Sequence, residues 1–354
     1  MNAPVKVARC AVYFVASPLQ LLAARQIAAT HEAGSRQVLV WYKPGLAKLV
    51  RSDEWDACHY LAWPRWEPLP GPFGGLRRLR RNLREVAGVV GPCNTVVLHS
   101  AVFDTEAINY FLHDLPRRCG ASQRLARILP DGLISIRRYP LSLAKRVAQW
   151  LRKLRRLVAP ELNYTPFAGD RIGSDAAFCD RIYVLAGLPH AYPQTRTCVL
   201  RPLAERGVVH TPPSSADAAG GVGLVIGQPL AGSGLMAAAD VQRTQNNIHA
   251  WLKSQGCVRI LYKPHPKDAN HELRHPDYEL VEPIEPLETW LASARFDYVA
   301  GVRSSGLIFA RQVQPTPTRV AAFGWSRIRF KNTTEYEEMS ALFTSLGIEQ
   351  IQET

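Results

Sequence analysis

The sequence lacks any apolar run of the ~18 residues that a membrane-spanning helix needs, so a protein working at a membrane would have to lie on it. Its seven cysteines (Cys10, Cys58, Cys93, Cys119, Cys179, Cys198, Cys257) are scattered, with no CxxC pair and no metal-ligand spacing. That excludes a zinc ribbon or a dithiol redox motif and fits reduced thiols in a cytosolic protein. G-x-G-x-x-G, Walker A and H-E-x-x-H sequences are missing, as is a D-x-D pair at a strand end of the kind that holds a divalent metal under a nucleotide sugar. Met1 to Arg9 has no basic stretch leading into a long apolar run, and no secretory signal is expected. Acids are scarce: 30 Asp and Glu stand against 43 Lys and Arg, for a net charge of +13. The deficit points to an acidic partner, whether nucleic acid, anionic lipid, an anionic small molecule or a glycan. No aromatic-basic RNA signature, helix-turn-helix or zinc pattern accompanies it, so nucleic acid is not expected as the partner.

What is present reads as a soluble globular chain of 354 residues, 47% hydrophobic and 21% charged, long enough for about two domains. Val7 to Ala16 is a short apolar strand. Ser17-Pro18-Leu19-Gln20 breaks it, and an Ala/Leu-rich helix follows. Strand, tight loop and helix open a parallel α/β unit, with Pro18 in the first helical turn and the helix N-terminus free for an anion. Further strands are expected at Gln37–Tyr42, Thr95–His99, Gln123–Leu129 and Asp180–Leu185. The strand at 123–129 ends in Pro130-Asp131-Gly132. There Asp131 is either a turn residue or a catalytic carboxylate. Residues 210–221 have linker composition and mark the domain boundary.

Two helices are conspicuously basic. One, Leu76–Val90, carries Arg77, Arg78, Arg80, Arg81 and Arg84. In the other, Leu141–Val158, an apolar stripe (Leu143, Val147, Trp150, Leu151, Leu154, Leu157, Val158) is flanked by Lys145, Arg146, Arg152, Lys153, Arg155 and Arg156, with no acid. The favoured reading packs the stripe into the core with the basic face outward; the alternative is a surface that meets anionic lipid or glycan.

The second half restarts the alternation. Strand 222–226 ends in Gly227-Gln228-Pro229-Leu230, and Gly- and Ala-rich residues then suggest a mobile connection to a helix at 240–255. Strand 258–262 runs into Lys263-Pro264-His265-Pro266-Lys267, a stiff basic loop suited to a phosphate. Glu282, Glu285 and Glu288 surround the start of the next helix. Strand 297–302 leads to Arg303-Ser304-Ser305-Gly306, and a final helix spans 333–346.

Taken in order, Ser17-Pro18-Leu19-Gln20, Asp131-Gly132, Gly227-Gln228-Pro229-Leu230, Lys263-Pro264-His265-Pro266 and Ser304-Ser305-Gly306-Leu307 resemble the bacterial sialyltransferases, especially the α-2,8-polysialyltransferase-like family. The resemblance implies an α/β GT-B fold of two Rossmann-like domains facing a central cleft. Domains are expected at 1–212 (acceptor side), 213–330 (CMP-sugar side) and 331–354 (a C-terminal helix able to pack back on the first domain). It also implies an inverting, metal-independent transfer of sialic acid from CMP-sialic acid to a glycan, with no cofactor. Asp131 is then the base and His265 the group at the CMP phosphate. Ser17, Gln20, Gly227, Gln228, Lys263, Pro266, Glu285, Glu288, Ser304 and Ser305 hold the donor. Arg77, Arg81, Arg152 and Arg155 are the candidates for an anionic acceptor or a membrane surface.

The family has two adjacent acids before the glycine, and here Pro130 replaces the first. Alternatives are a transferase for another CMP-activated acidic sugar or another nucleotide sugar, or an inactive glycan-binding relative. The expected location is cytoplasmic, free or peripheral on the inner face of the inner membrane.

Overall fold

The computed structural model describes residues 6–131, 138–201, 220–265, 267–282, 287–315 and 317–352. The chain forms two compact units, Met1–Arg201 and Pro202–Thr354. The expected linker at 210–221 and the 212/213 boundary fall almost wholly outside the described residues.

In the first unit the strands are β1 (Val7–Val15), β2 (Arg36–Trp41), β3 (Ala57–Tyr60), β4 (Cys93–Ser100), β5 (Gln123–Ile128), β6 (Cys179–Leu185) and β7 (Thr197–Leu200). They make one sheet in the order β3-β2-β1-β4-β5-β6-β7, parallel throughout. Its helices are α1 (Pro18–Thr30), α2 (Gly74–Val90), α3 (Glu106–Asn109), α4 (Phe111–Cys119) and α5 (Leu143–Leu154). Residues 10–15 of β1 are all buried, as a parallel strand covered on both faces requires. Cys10, Val12 and Phe14 join one core with Val96, Leu98, Leu83 and Phe111.

The alternate positions of the same strands include one polar row among apolar neighbours such as Ala11, Val15 and Val97. Tyr13, His99 and Arg127 stand in register across β1, β4 and β5. His99 stacks on Tyr13 at 4.4 Å. Glu32, just past α1, is buried against this row. It pairs with Arg127, with Arg9 at 2.9 Å and with His99 at 3.6 Å; Arg127 also reaches Asp180 at 3.1 Å. Burial alone raises a carboxyl, but His99, Arg9 and the Arg127 charge outweigh it and hold Glu32 at about 2.

The helix at 143–154 corrects the sequence expectation. Its apolar stripe does not enter the core: Leu143, Val147, Trp150, Leu151 and Leu154 are exposed, as are Leu157 and Val158 beyond it. The polar side holds the helix to the unit instead. Gln149 is buried and accepts the Phe167 N–H at 3.0 Å. Arg152 and Arg155 pair with Glu106, and Lys145 with Asp104. The core space is already taken by Ala159, Leu162, Tyr164 and Ile172.

The second unit repeats the logic with β8 (Gly221–Ile226), β9 (Cys257–Lys263), β10 (Glu279–Leu280), β11 (Tyr298–Gly301), β12 (Arg319–Ala322) and β13 (Glu349–Gln350). Their order is β10-β9-β8-β11-β12-β13, again parallel. The helices are α6 (Ala238–Ser254), α7 (Leu287–Ser293), α8 (Ser305–Val313) and α9 (Thr333–Ser345). The C-terminal segment contributes to this unit: Phe343 of α9 packs on Trp325 at 4.9 Å, and β13 pairs with β12.

Glu32→Ala takes one of its two acidic partners from the buried Arg127, leaving Asp180, and also removes the partner of Arg9 and His99; breaking a buried pair from one side costs about 3–5 kcal/mol. Denaturant unfolding reads this as a lower midpoint; a loss under ~1 kcal/mol, the scale of an exposed pair, contradicts it. Acid acts in the same direction. The Glu32 contribution is complete above the unfolded value near 4.5 and is lost as pH falls toward about 2. Burial lowers His99 as well, so its share is already eroding below pH 6.5.

Candidate active site

All strands of each sheet run the same way, so every strand-to-helix loop leaves at the carboxyl edge. In the second sheet the chain order reverses between β8 and β11. Such a switch point, at the carboxyl ends of the strands, is the usual ligand position of an open α/β sheet. Gly227 and Gln228 follow β8, Lys263 and His265 end and follow β9, and Ser304 and Ser305 follow β11. The strand ends thus bring these residues to one edge.

Local bonds fix their positions. The Gly227 N–H donates to Lys263 O at 2.8 Å. A Cβ on Gly227 would come within 2.5 Å of the Tyr262 hydroxyl, so only glycine allows this approach. The Gln228 side-chain oxygen accepts the Arg303 N–H at 3.1 Å, tying the loop after β8 to the loop after β11. Arg303 is itself held by Glu335 at 2.8 Å. Ser304 caps α8, accepting the Gly306 N–H at 3.1 Å, and Ser305 is exposed at the first turn. A Cβ on Gly306 would meet Leu287 at 2.7 Å, so this glycine lets α7 pack close to α8. The start of α8 presents amides and hydroxyls to an anion.

His265 is exposed, and its Nδ1 accepts the Lys267 N–H at 3.1 Å. A backbone N–H can only donate, so the neutral ring carries its proton on Nε2. Partial desolvation by the loop, with Lys267 and Lys263 nearby, lowers its pKa, which favours the neutral ring. Burial also lowers Lys263, against the charges of Glu282 and Glu288. Glu288, on α7, is raised by burial and partly restored by Lys263. Lys263 and Glu288 therefore act on each other. Pro266 and Glu285 lie outside the described residues.

Sequence reasoning missed the supports of this edge. Asp268 is buried, accepts from the Tyr262 hydroxyl at 3.1 Å and caps the Glu272 N–H. The Glu272 carboxylate accepts three backbone N–H groups, those of Leu230, Ala231 and Gly232, at 2.6–2.9 Å. The Gly/Ala-rich segment after Leu230, read as a mobile connection, is thus anchored at its start. No local signal reveals this, because Glu272 is 40 to 42 residues away in sequence.

In the first unit, Asp131 follows β5 and is half-buried behind the buried Pro130. Burial raises its carboxyl, and a hydrogen bond from Gln20 opposes the rise. Gln20 is itself 2% exposed, and its side-chain oxygen accepts the Ala16 N–H at 2.7 Å. Ser17 caps α1 through the Gln20 N–H at 3.3 Å. The structure therefore joins Ser17, Gln20 and Asp131 in one cluster, with Gln20 as the bridge. Tyr42 stands beside it, raised first by burial and then by Asp131. Among the four candidate arginines, Arg152 and Arg155 share Glu106, Arg81 pairs with Glu85 at 2.6 Å, and Arg77 donates to Pro70 O.

Among the described residues one trio could offer metal ligands together, His249, His275 and Asp277. The two rings are stacked 3.7 Å apart and nearly parallel, so their in-plane lone pairs run side by side rather than converging. The trio lies on α6 and in the turn before β10, apart from the strand-end residues above.

Comparison with curated proteins finds no match. Among solved structures, the glycotransferase of kitacinnamycin is 12% identical with a TM-score of 0.51, covering 98% of this chain and 87% of that one. The calicheamicin glycosyltransferase CalG4 is 14% identical at 0.49, covering 98% and 86%. The glycosyltransferase SnogD from Streptomyces nogalater is 14% identical at 0.44, covering 98% and 97%. At these identities the likeness is one of fold, and the first of the three speaks for it: two Rossmann-like units of the GT-B kind. Residues 204–322 match the model of the alpha-2,8-polysialyltransferase (POLYST) family, so the segment that holds Gly227, Lys263, His265 and Ser304 is polysialyltransferase-like, and match and fold together support a glycosyltransferase.

Proposed function

We propose that the chain is an inverting sialyltransferase that moves sialic acid from CMP-sialic acid to a glycan acceptor, without a metal. The observation that carries this reading is the carboxyl edge of the second sheet. There Lys263, His265 and the Ser304–Ser305 helix start lie on neighbouring loops within the segment that matches the polysialyltransferase family. Departure of CMP builds charge on a phosphate, and pre-placed donors that meet that charge are a large catalytic term. The Nε2–H of His265 donates to the leaving phosphate. Ser304, Ser305 and the α8 amides hold its other oxygens, and Lys263 adds charge. Glu288 accepts from the ribose hydroxyls, and Gly227 and Gln228 line the nucleotide.

The acceptor hydroxyl is a poor nucleophile and needs a base. In this reading Asp131 serves, in the absence of the acid that Pro130 replaces. Burial raises its carboxyl toward the working pH, which suits a base better than an ordinary exposed carboxylate. Gln20 keeps the carboxylate aimed.

Thermal-shift titration with CMP, UMP, UDP and GDP tests the donor class. CMP is expected to stabilise the chain most, and equal or greater stabilisation by UDP or GDP overturns the reading. His265→Ala is expected to lower CMP-sialic acid turnover by about 10²–10³-fold with an unchanged melting temperature; near-normal turnover removes His265 from the mechanism. Asp131→Asn should cost about 10²–10⁴-fold in kcat while CMP affinity stays within a few-fold. The wild-type rate should fall with acid as Asp131 takes up its proton. Unchanged turnover in Asp131→Asn assigns the base elsewhere.

A further inference from the structure

The helix at 143–154 and the turn that extends it are mounted in reverse. Seven large apolar side chains, Leu143, Val147, Trp150, Leu151, Leu154, Leu157 and Val158, are between 57% and 89% exposed. The polar side meanwhile carries the contacts to the unit. Helical spacing puts the seven on one stripe. A contiguous apolar patch of this kind on a soluble surface marks a docking site.

Its borders are basic. Lys145, Arg152 and Arg155 are neutralised by Asp104 and Glu106 on the protein side. Arg146, Lys153 and Arg156 form no ion pair with a described acid, and the segment 143–158 contains no acid of its own. Lys153 lies over the Trp150 ring at 4.9 Å. The patch continues past the helix. Val158, Arg152 and Arg155 line a cavity of about 940 Å³ together with Phe73. Phe73 is 81% exposed on a left-handed backbone, φ 57°. That conformation is uncommon for a bulky residue, and here it points an aromatic ring outward.

We infer that this face docks on an anionic lipid bilayer, with the apolar stripe at the acyl boundary and Arg146, Lys153 and Arg156 at the headgroups. The charge pattern selects this occupant. A second copy meeting the stripe about a two-fold axis would bring these unpaired cations against their own copies, whereas anionic headgroups supply the missing charge. The inference does not depend on the identity of the donor sugar.

The test uses the full chain and sedimentation with vesicles of phosphatidylcholine alone or with about a third phosphatidylglycerol. The protein is expected to sediment with the anionic vesicles and to be released by salt. Leu151→Glu with Leu154→Glu, and separately Arg146→Glu with Lys153→Glu, should each lower partitioning by on the order of ten-fold or more. Thermal melting should not change, because all four side chains point away from the core. Three results overturn the inference: no sedimentation of the wild type, equal sedimentation with neutral vesicles, or unaltered binding of either double variant. Light scattering that shows a dimer, broken by the Leu151/Leu154 pair without any vesicle binding, reassigns the face to a second copy.

Discussion

The parallel register of the two sheets is the constraint on which the rest depends. A parallel strand cannot be reached by a tight hairpin, so each one is followed by a crossover, and every crossover starts at the same edge. Residues distant in sequence, such as Gly227, Lys263 and Ser304, are then brought to one edge by the strands that carry them. Burial on both faces also sets the composition of the strands. The outer layers can differ freely, and they do: one side of the first sheet is an apolar core, while the other includes a row of Tyr13, His99 and Arg127 closed by Glu32.

Much of this was legible in the sequence. Most long strands read as apolar-rich runs, and the described residues of the five ordered motifs follow strand ends in the structure. The short edge strands were not legible. β3, β7, β10 and β13 have two to four residues each, too few for a period to show, and pairing with a neighbour is what makes them strands. At the candidate site the chemistry-bearing residues were visible as motifs, while their supports were not. Gln20 reads as a donor-side residue, and nothing local announces that its side chain also bonds Ala16 and Asp131. Arg303, Asp268 and Glu272 work through partners that no local pattern indicates.

The helix at 143–154 shows the limit of amphipathic periodicity. Spacing identifies a stripe but not which side of it faces the protein. That choice was made by competition. The segment 159–178 filled the core space, and Asp104, Glu106 and the Phe167 amide offered polar anchors to the other side. A stripe at helical spacing therefore establishes a helix with two unlike faces, and nothing more.

The carboxylate of Glu272 seated on the amides of Leu230, Ala231 and Gly232 has a thermodynamic consequence for whatever binds at that edge. Three adjacent N–H groups would otherwise need water or a ligand to satisfy them, and the loop would be ordered only when the ligand arrived. Here the chain supplies its own anion. The entropy of ordering that loop is thus spent during folding rather than at association, so a ligand at that edge would meet a finished wall and keep more of its contact energy as affinity.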